Sequence, residues 1–145
     1  MKVFLDTSVL IAASWSEHPQ FAGAKQLVGR VQSEELEGVI CAHTLAELYA
    51  VLTRLPVRPA IGPEDALRII EENVLPRFRV VELGVETYAR VLRQAAGRGL
   101  RGGVTYDALL MDCARASGAE RIYTLNWKDF RRVAPDLEDR IVGLE

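Results

Sequence analysis

Histidine and cysteine are too scarce in this chain to build a zinc enzyme. Only His18, His43, Cys41 and Cys113 are present, and none falls in a CxxC or HExxH spacing that would hold zinc. Both cysteines lie inside apolar runs, where buried free thiols are expected rather than a disulfide framework. Long apolar runs are also missing. Nothing approaches the roughly 18 to 20 consecutive apolar residues of a membrane span, and the N-terminal MKVFLDTSVLIAASW carries Asp6 where a signal peptide would be apolar. A cytoplasmic protein without membrane segments is expected. Charge of one sign is absent as well: 18 basic against 20 acidic residues leave a net charge of −2, so no general basic field draws the molecule onto nucleic acid. Lysine is nearly absent, at Lys2, Lys25 and Lys128 only, and the other 15 basic residues are arginine, the side chain suited to bidentate phosphate contacts. Internal repeats and long linkers are lacking too, and 145 residues read as one domain, 1–145.

What is present is an alternation of short and long segments. Apolar runs at Lys2 to Leu5, Val39 to Cys41, Arg79 to Leu83 and Arg121 to Leu125 are candidate strands, with a last edge strand at Arg140 to Leu144. Helical spacing covers Phe21 to Glu35, Thr44 to Leu55, Glu64 to Leu75, Val85 to Ala96 and Thr105 to Ala116. Pro63 with two following acids marks one helix start, and Pro56 and Pro59 close the helix before it. Strand alternating with helix predicts an α/β fold with a mainly parallel sheet covered on both faces.

In such sheets ligands gather beyond the carboxyl ends of the strands. Asp6 ends the first strand, Glu47 follows the second, Asn126 and Asp129 follow the fourth, and Asp107 opens a helix after the glycine-rich stretch Gly97 to Gly103. Carboxylates crowded at one edge repel unless a cation neutralises them. Oxygen-only ligation suits Mg²⁺ or Mn²⁺, and phosphodiester hydrolysis by a metal-activated water is the chemistry that fits best. Each acid also has a plain structural explanation. Asp6-Thr-Ser8 is a good helix cap. Thr44-Leu-Ala-Glu47 matches a capping box. Asp107 suits the first turn of its helix, whose dipole favours an anion, and Asp129 suits the start of a short turn. Glu47 points away from the apolar stripe of Leu45, Leu48, Tyr49, Leu52 and Leu55, so it is not a core acid. Asp112 is placed to pair with Arg115 in a surface or structural role.

Four motifs in this order, Val3-Phe-Leu-Asp6-Thr-Ser-Val-Leu-Ile11, His43-Thr-Leu-Ala-Glu47-Leu, Tyr106-Asp107-Ala-Leu-Leu110 and Thr124-Leu-Asn126-Trp-Lys-Asp129-Phe130, resemble the PIN-domain family and, within it, the VapC-type toxins of toxin-antitoxin pairs. The resemblance runs over nearly the whole chain. It implies a three-layer α/β/α sandwich and an acidic quartet that binds Mg²⁺ or Mn²⁺ to hydrolyse RNA. Asp6, Glu47 and Asp107 match the first three acids; the fourth is Asp129 of the Asp-Phe pair, or the position of Asn126, where some members carry Asp. Thr7, Ser8 and Thr124 are candidates to hydrogen-bond the carboxylates, although turn chemistry explains them equally well. The resemblance further implies a homodimeric endoribonuclease held silent by a cognate VapB-type antitoxin. Arg98 and Arg101 are placed either to meet RNA phosphates or an acidic partner, or to form a solvated basic loop, and Trp15 either to stack a base or to be a buried or interface aromatic.

Two other functions compete. A catalytically weak member would bind RNA or protein without cutting, an option that Asn126 leaves open. A phosphatase with Asp6 as covalent nucleophile would be expected to carry Asp-x-Asp, whereas this chain reads Asp6-Thr-Ser8.

Overall fold

The structure is a computed structural model that describes residues 1–144. Five strands form one sheet: β1 Lys2–Leu5, β2 Glu37–Cys41, β3 Phe78–Val81, β4 Arg121–Tyr123 and β5 Ile141–Val142. Their order is β3-β2-β1-β4-β5 and every neighbouring pair is parallel, so the expected edge strand is present and joins the common direction. The helices are α1 Thr7–Ser14, α2 Phe21–Gln32, α3 Ala42–Leu52, α4 Pro63–Ile69 running into a π-helical turn at Ile70–Val74, α5 Val85–Gly97, α6 Val104–Ser117 and α7 Trp127–Val133, followed by a 3₁₀ turn at Pro135–Arg140.

Strand alternation creates the layers. In β1, Val3 and Leu5 point to one face and Phe4 to the other. Val3 and Leu5 join Ile40 and the apolar sides of α1, α2, α3 and α4. Phe4 joins Val39, Ile122 and Ile141 under α6 and α7. The result is the expected three-layer α/β/α sandwich, with β1 at the centre and buried on both sides.

Helix ends differ from the expected limits for local reasons. α2 stops at Gln32 rather than Glu35 because Glu34 lies in the left-handed region at φ 64°. α3 stops at Leu52 rather than Leu55, since Leu55 precedes Pro56 and the residue before proline is pushed out of the α region. At its other end α3 starts at Ala42, two residues earlier than Thr44. The short helices α1 and α7 lie in segments read as caps and turns.

Cys41 and Cys113 are both free and buried, as expected. They also face each other, the Cys113 thiol reaching Cys41 Sγ at 2.7 Å and joining the end of β2 to α6. No helix of the described residues is long and apolar enough to cross a membrane.

Candidate active site

The chain runs β1, β2, β3 towards one edge and then returns to place β4 on the other side of β1. Connections leaving β1 and β4 therefore diverge, and a crevice opens at their carboxyl ends. Asp6 and Thr124 are the first residues beyond these two strands. The ladder continues one step further, Asp6 N–H donating to the Tyr123 carbonyl at 3.0 Å.

Asp6 occupies the cap position of α1 but makes no side-chain capping bond. Two hydroxyls hold it instead: Ser8 donates to Oδ2 at 2.6 Å and Thr124 donates to the same oxygen at 2.9 Å. Thr124 Oγ1 accepts the Asn126 N–H at 3.0 Å, and Ser8 Oγ accepts the Leu125 N–H at 3.1 Å. The loop after β4 is thus fastened to the loop after β1 through one carboxylate. Burial lifts the Asp6 carboxyl above its ordinary value, and the two hydroxyls, helped by the nearby backbone N–H groups of Thr7 and Ser8, pull it part of the way back.

Glu47 tells against its structural explanation. With Cys41 as the cap of α3, Thr44 lies inside the first turn and no capping box forms. Thr44 is fully buried, and its hydroxyl is 2.9 Å from Thr7 Oγ1, which is itself 3.4 Å from Glu47 Oε1. Having one proton, Thr7 donates to one of these at a time. On the other side of Glu47, His43 Nε2 lies 3.3 Å from Oε1. Burial raises the Glu47 carboxyl first; His43 and Thr7 oppose that rise and Asp6 adds to it.

Asp107 lies in the first turn of α6, as expected. Its carboxyl is pushed up to about 6, first by burial and then by repulsion from Asp6, Asp129 and Glu47. All four acids named from the sequence therefore share one electrostatic field, and no basic group offsets it at Asp107. Asp129 stands at the outer side, exposed in the first turn of α7 and paired with Arg132 at 2.6 Å. Asn126 is the exposed cap residue of α7; its backbone N–H donates to Thr124 Oγ1 and its carbonyl accepts the Phe130 N–H at 3.1 Å. Among the described residues no three His, Cys, Asp or Glu side chains close into a ready-made metal cage. The donor set nevertheless fits a hard divalent cation: it offers carboxylate oxygens only, and at Asp107 the neighbouring acids repel one another.

Other expectations resolve away from this crevice. Arg98 is the exposed C-cap residue of α5, and its guanidinium donates to the carbonyls of Val133 at 2.6 Å and Arg132 at 3.0 Å. Asp112 is buried and structural, held by both Arg115 and Arg90; the Arg90 contact is 22 residues away and had no sequence signal. Trp15 follows the last turn of α1, roughly 13–14 Å along the helix from Asp6 by helical rise, and packs edge-on against His18 at 5.8 Å. Thr44, which reads as a helix cap in the sequence, instead supports Thr7, while His43 and Tyr106, to which the sequence assigns no role, stack parallel at 5.5 Å between the Glu47 and Asp107 helices.

Comparison with known proteins agrees with this geometry. The family model described as PIN domain matches residues 3–135. Ribonuclease VapC27 of Mycobacterium tuberculosis is 38% identical over 84 residues, which cover 58% of this chain and 59% of that protein. Ribonuclease VapC40 of the same species is 32% identical over 116 residues, covering 79% of this chain and 80% of the relative. The crystal structure of VapBC2 from Rickettsia felis, bound to a DNA fragment from its promoter, superimposes with a TM-score of 0.65 at 20% identity, over the full length of both chains.

Proposed function

Because the chain belongs to the PIN-domain family, we propose that it is the toxin ribonuclease of a VapBC-type toxin-antitoxin pair, hydrolysing RNA with Mg²⁺ or Mn²⁺ held by Asp6, Glu47, Asp107 and Asp129. The carrying observation is the gathering of four acids from separate elements, Asp6 just past β1, Glu47 on α3, Asp107 in the first turn of α6 and Asp129 in the first turn of α7, close enough that Asp6, Asp129 and Glu47 add to burial in raising the Asp107 carboxyl. A divalent cation supplies charge neutralisation and Lewis acidity towards water and the phosphodiester.

The chain's own groups orient the acids. Ser8 and Thr124 fix Asp6 through Oδ2, Thr7 and His43 flank Glu47, and the start of α6 carries Asp107 on a helix whose interior is buried. The contacts to Asp6 and Glu47 limit the rotation of those two carboxylates before any ligand arrives. Asp129, a carboxylate in the first turn of α7, is taken as the fourth acid, with Asn126, the neutral cap residue of the same helix, as the alternative.

The same reading takes residues 1–145 as one nuclease domain acting in the cytoplasm as a homodimer, silenced by a cognate VapB-type antitoxin. A second reading rests on the acids not closing into a cage by themselves: a binding module that holds RNA or protein without cutting. One experiment separates the two. Purified protein, freed of any co-purified inhibitor, is incubated with a mixed cellular RNA pool and Mg²⁺ or Mn²⁺, beside an EDTA control and Asp6→Asn. Discrete cuts absent from both controls support the nuclease; intact RNA in every lane, with bound RNA or protein, supports the module.

A further inference from the structure

His43 and Tyr106 lie outside the acidic quartet, yet each is built into an element that carries one of its acids. Tyr106 directly precedes Asp107 in the first turn of α6, and His43 lies one turn before Glu47 in α3. Their rings are parallel within 3°, with centroids 5.5 Å apart. Such an offset stack leaves an outer ring face on each partner, on which a third planar ring can continue the column. Neither side chain belongs to the core: Tyr106 is 55% exposed and the His43 side chain 37%. Scattered exposed aromatics are ordinary on a protein surface. This one is distinguished by a parallel partner and by its place at the lip of the crevice, where His43 Nε2 also touches Glu47 at 3.3 Å.

Charge makes such a surface necessary. The molecule carries a net charge of −2 and its crevice gathers four acids, so phosphate is repelled until a cation is present. Stacking attracts every base through its π-face and needs no positive charge. Single-stranded RNA is the form whose bases are free to stack on a protein ring. We propose that the His43–Tyr106 stack is the nucleobase subsite of this centre, taking the base of a nucleotide next to the scissile phosphate in single-stranded RNA. The inference rests on the ribonuclease reading, and its test is separable from that reading.

Cleavage of a single-stranded RNA oligonucleotide by wild type, Tyr106→Ala, Tyr106→Phe and Tyr106→Trp supplies the first measurement. The expected result is a rise in KM of about tenfold for Tyr106→Ala, with kcat much less affected and the two aromatic replacements rescuing most of the loss. A Tyr106→Ala enzyme with wild-type KM overturns the proposal, as does Tyr106→Leu restoring KM as well as the aromatic variants do. If Tyr106→Ala fails to fold, wild-type protein with abasic sites placed singly along the oligonucleotide decides: one position beside the cut should cost about tenfold, and uniform tolerance overturns the subsite. Wild-type protein that cuts nothing sinks the ribonuclease reading instead. The subsite is then read from 2-aminopurine fluorescence in the same RNA with Ca²⁺ present, where quenching lost in Tyr106→Ala supports it and no Tyr106-dependent quenching overturns it.

Discussion

Thr124 and Asp6, 118 residues apart in sequence, meet in a buried hydrogen bond of 2.9 Å from the threonine hydroxyl to Oδ2. Thr124 is fully buried and also accepts the Asn126 N–H. The bond ties the two loops that diverge from β1 and β4, and so it holds the crevice in one shape. Thr124→Val removes the hydroxyl with little change in volume and leaves Asp6 and the Asn126 N–H each short of a partner. The expected cost is about 1–3 kcal/mol in denaturant unfolding, with about 10- to 100-fold weaker Mg²⁺ binding and recovery in Thr124→Ser. A valine variant equal to wild type in both assays would show that the bond is idle.

Divalent metal should stabilise the fold. A ligand that binds only the native state adds about 2.7 kcal/mol at one hundred times its dissociation constant, which for a chain of this length raises Tm by several degrees. The rise should disappear in Asp6→Asn and in Asp107→Asn, and EDTA should reverse it. A thermal scan with and without Mn²⁺ checks this; an identical rise in both variants would place the ion elsewhere.

Acid should favour the metal-free fold through Asp107. Its carboxyl is raised from 3.8 to about 6 in the folded chain, so the native state binds this proton more tightly than the unfolded state. The resulting penalty is absent below the unfolded value, grows as pH rises between the two, and is fully present above about 6. Metal-free protein should therefore gain stability from this group as pH falls from 7 to 5, and Asp107→Asn should flatten that part of the profile. Mg²⁺ affinity should fall over the same interval, since proton and metal compete for one carboxylate. Matching pH profiles for wild type and Asp107→Asn would remove Asp107 as the source.

Gly38 tests the packing beneath the site. A Cβ there would stand 2.5 Å from Val31 Cγ1 and 2.8 Å from Phe78 Cδ1, both side chains being buried. Gly38→Ala should cost about 1–3 kcal/mol by overpacking, lowering Tm by several degrees. Unchanged Tm would mean that α2 and β3 move apart freely.

Much of this protein is decided locally. Runs of apolar residues with period two or near four set the order of strands and helices, and the position of each acid just past a strand or at a helix start follows from that order. Asp6, Glu47, Asp107 and Asp129 stand out as candidates for that reason, and the layered parallel fold is legible from the same order. The partners of those acids were decided only by the tertiary structure. Thr44 reads as a helix cap in the sequence, because a Thr followed three residues later by Glu satisfies a local pattern, yet an earlier helix start turns its hydroxyl to Thr7. Arg98 lies in a glycine-rich stretch that suggests an open loop, whereas folding delivers the carbonyls of α7 to its guanidinium. The Arg90 to Asp112 pair and the His43–Tyr106 stack likewise join separate elements. Contacts of this kind have no sequence period, since they depend on how far each helix turns before it packs, and that is set by the whole core.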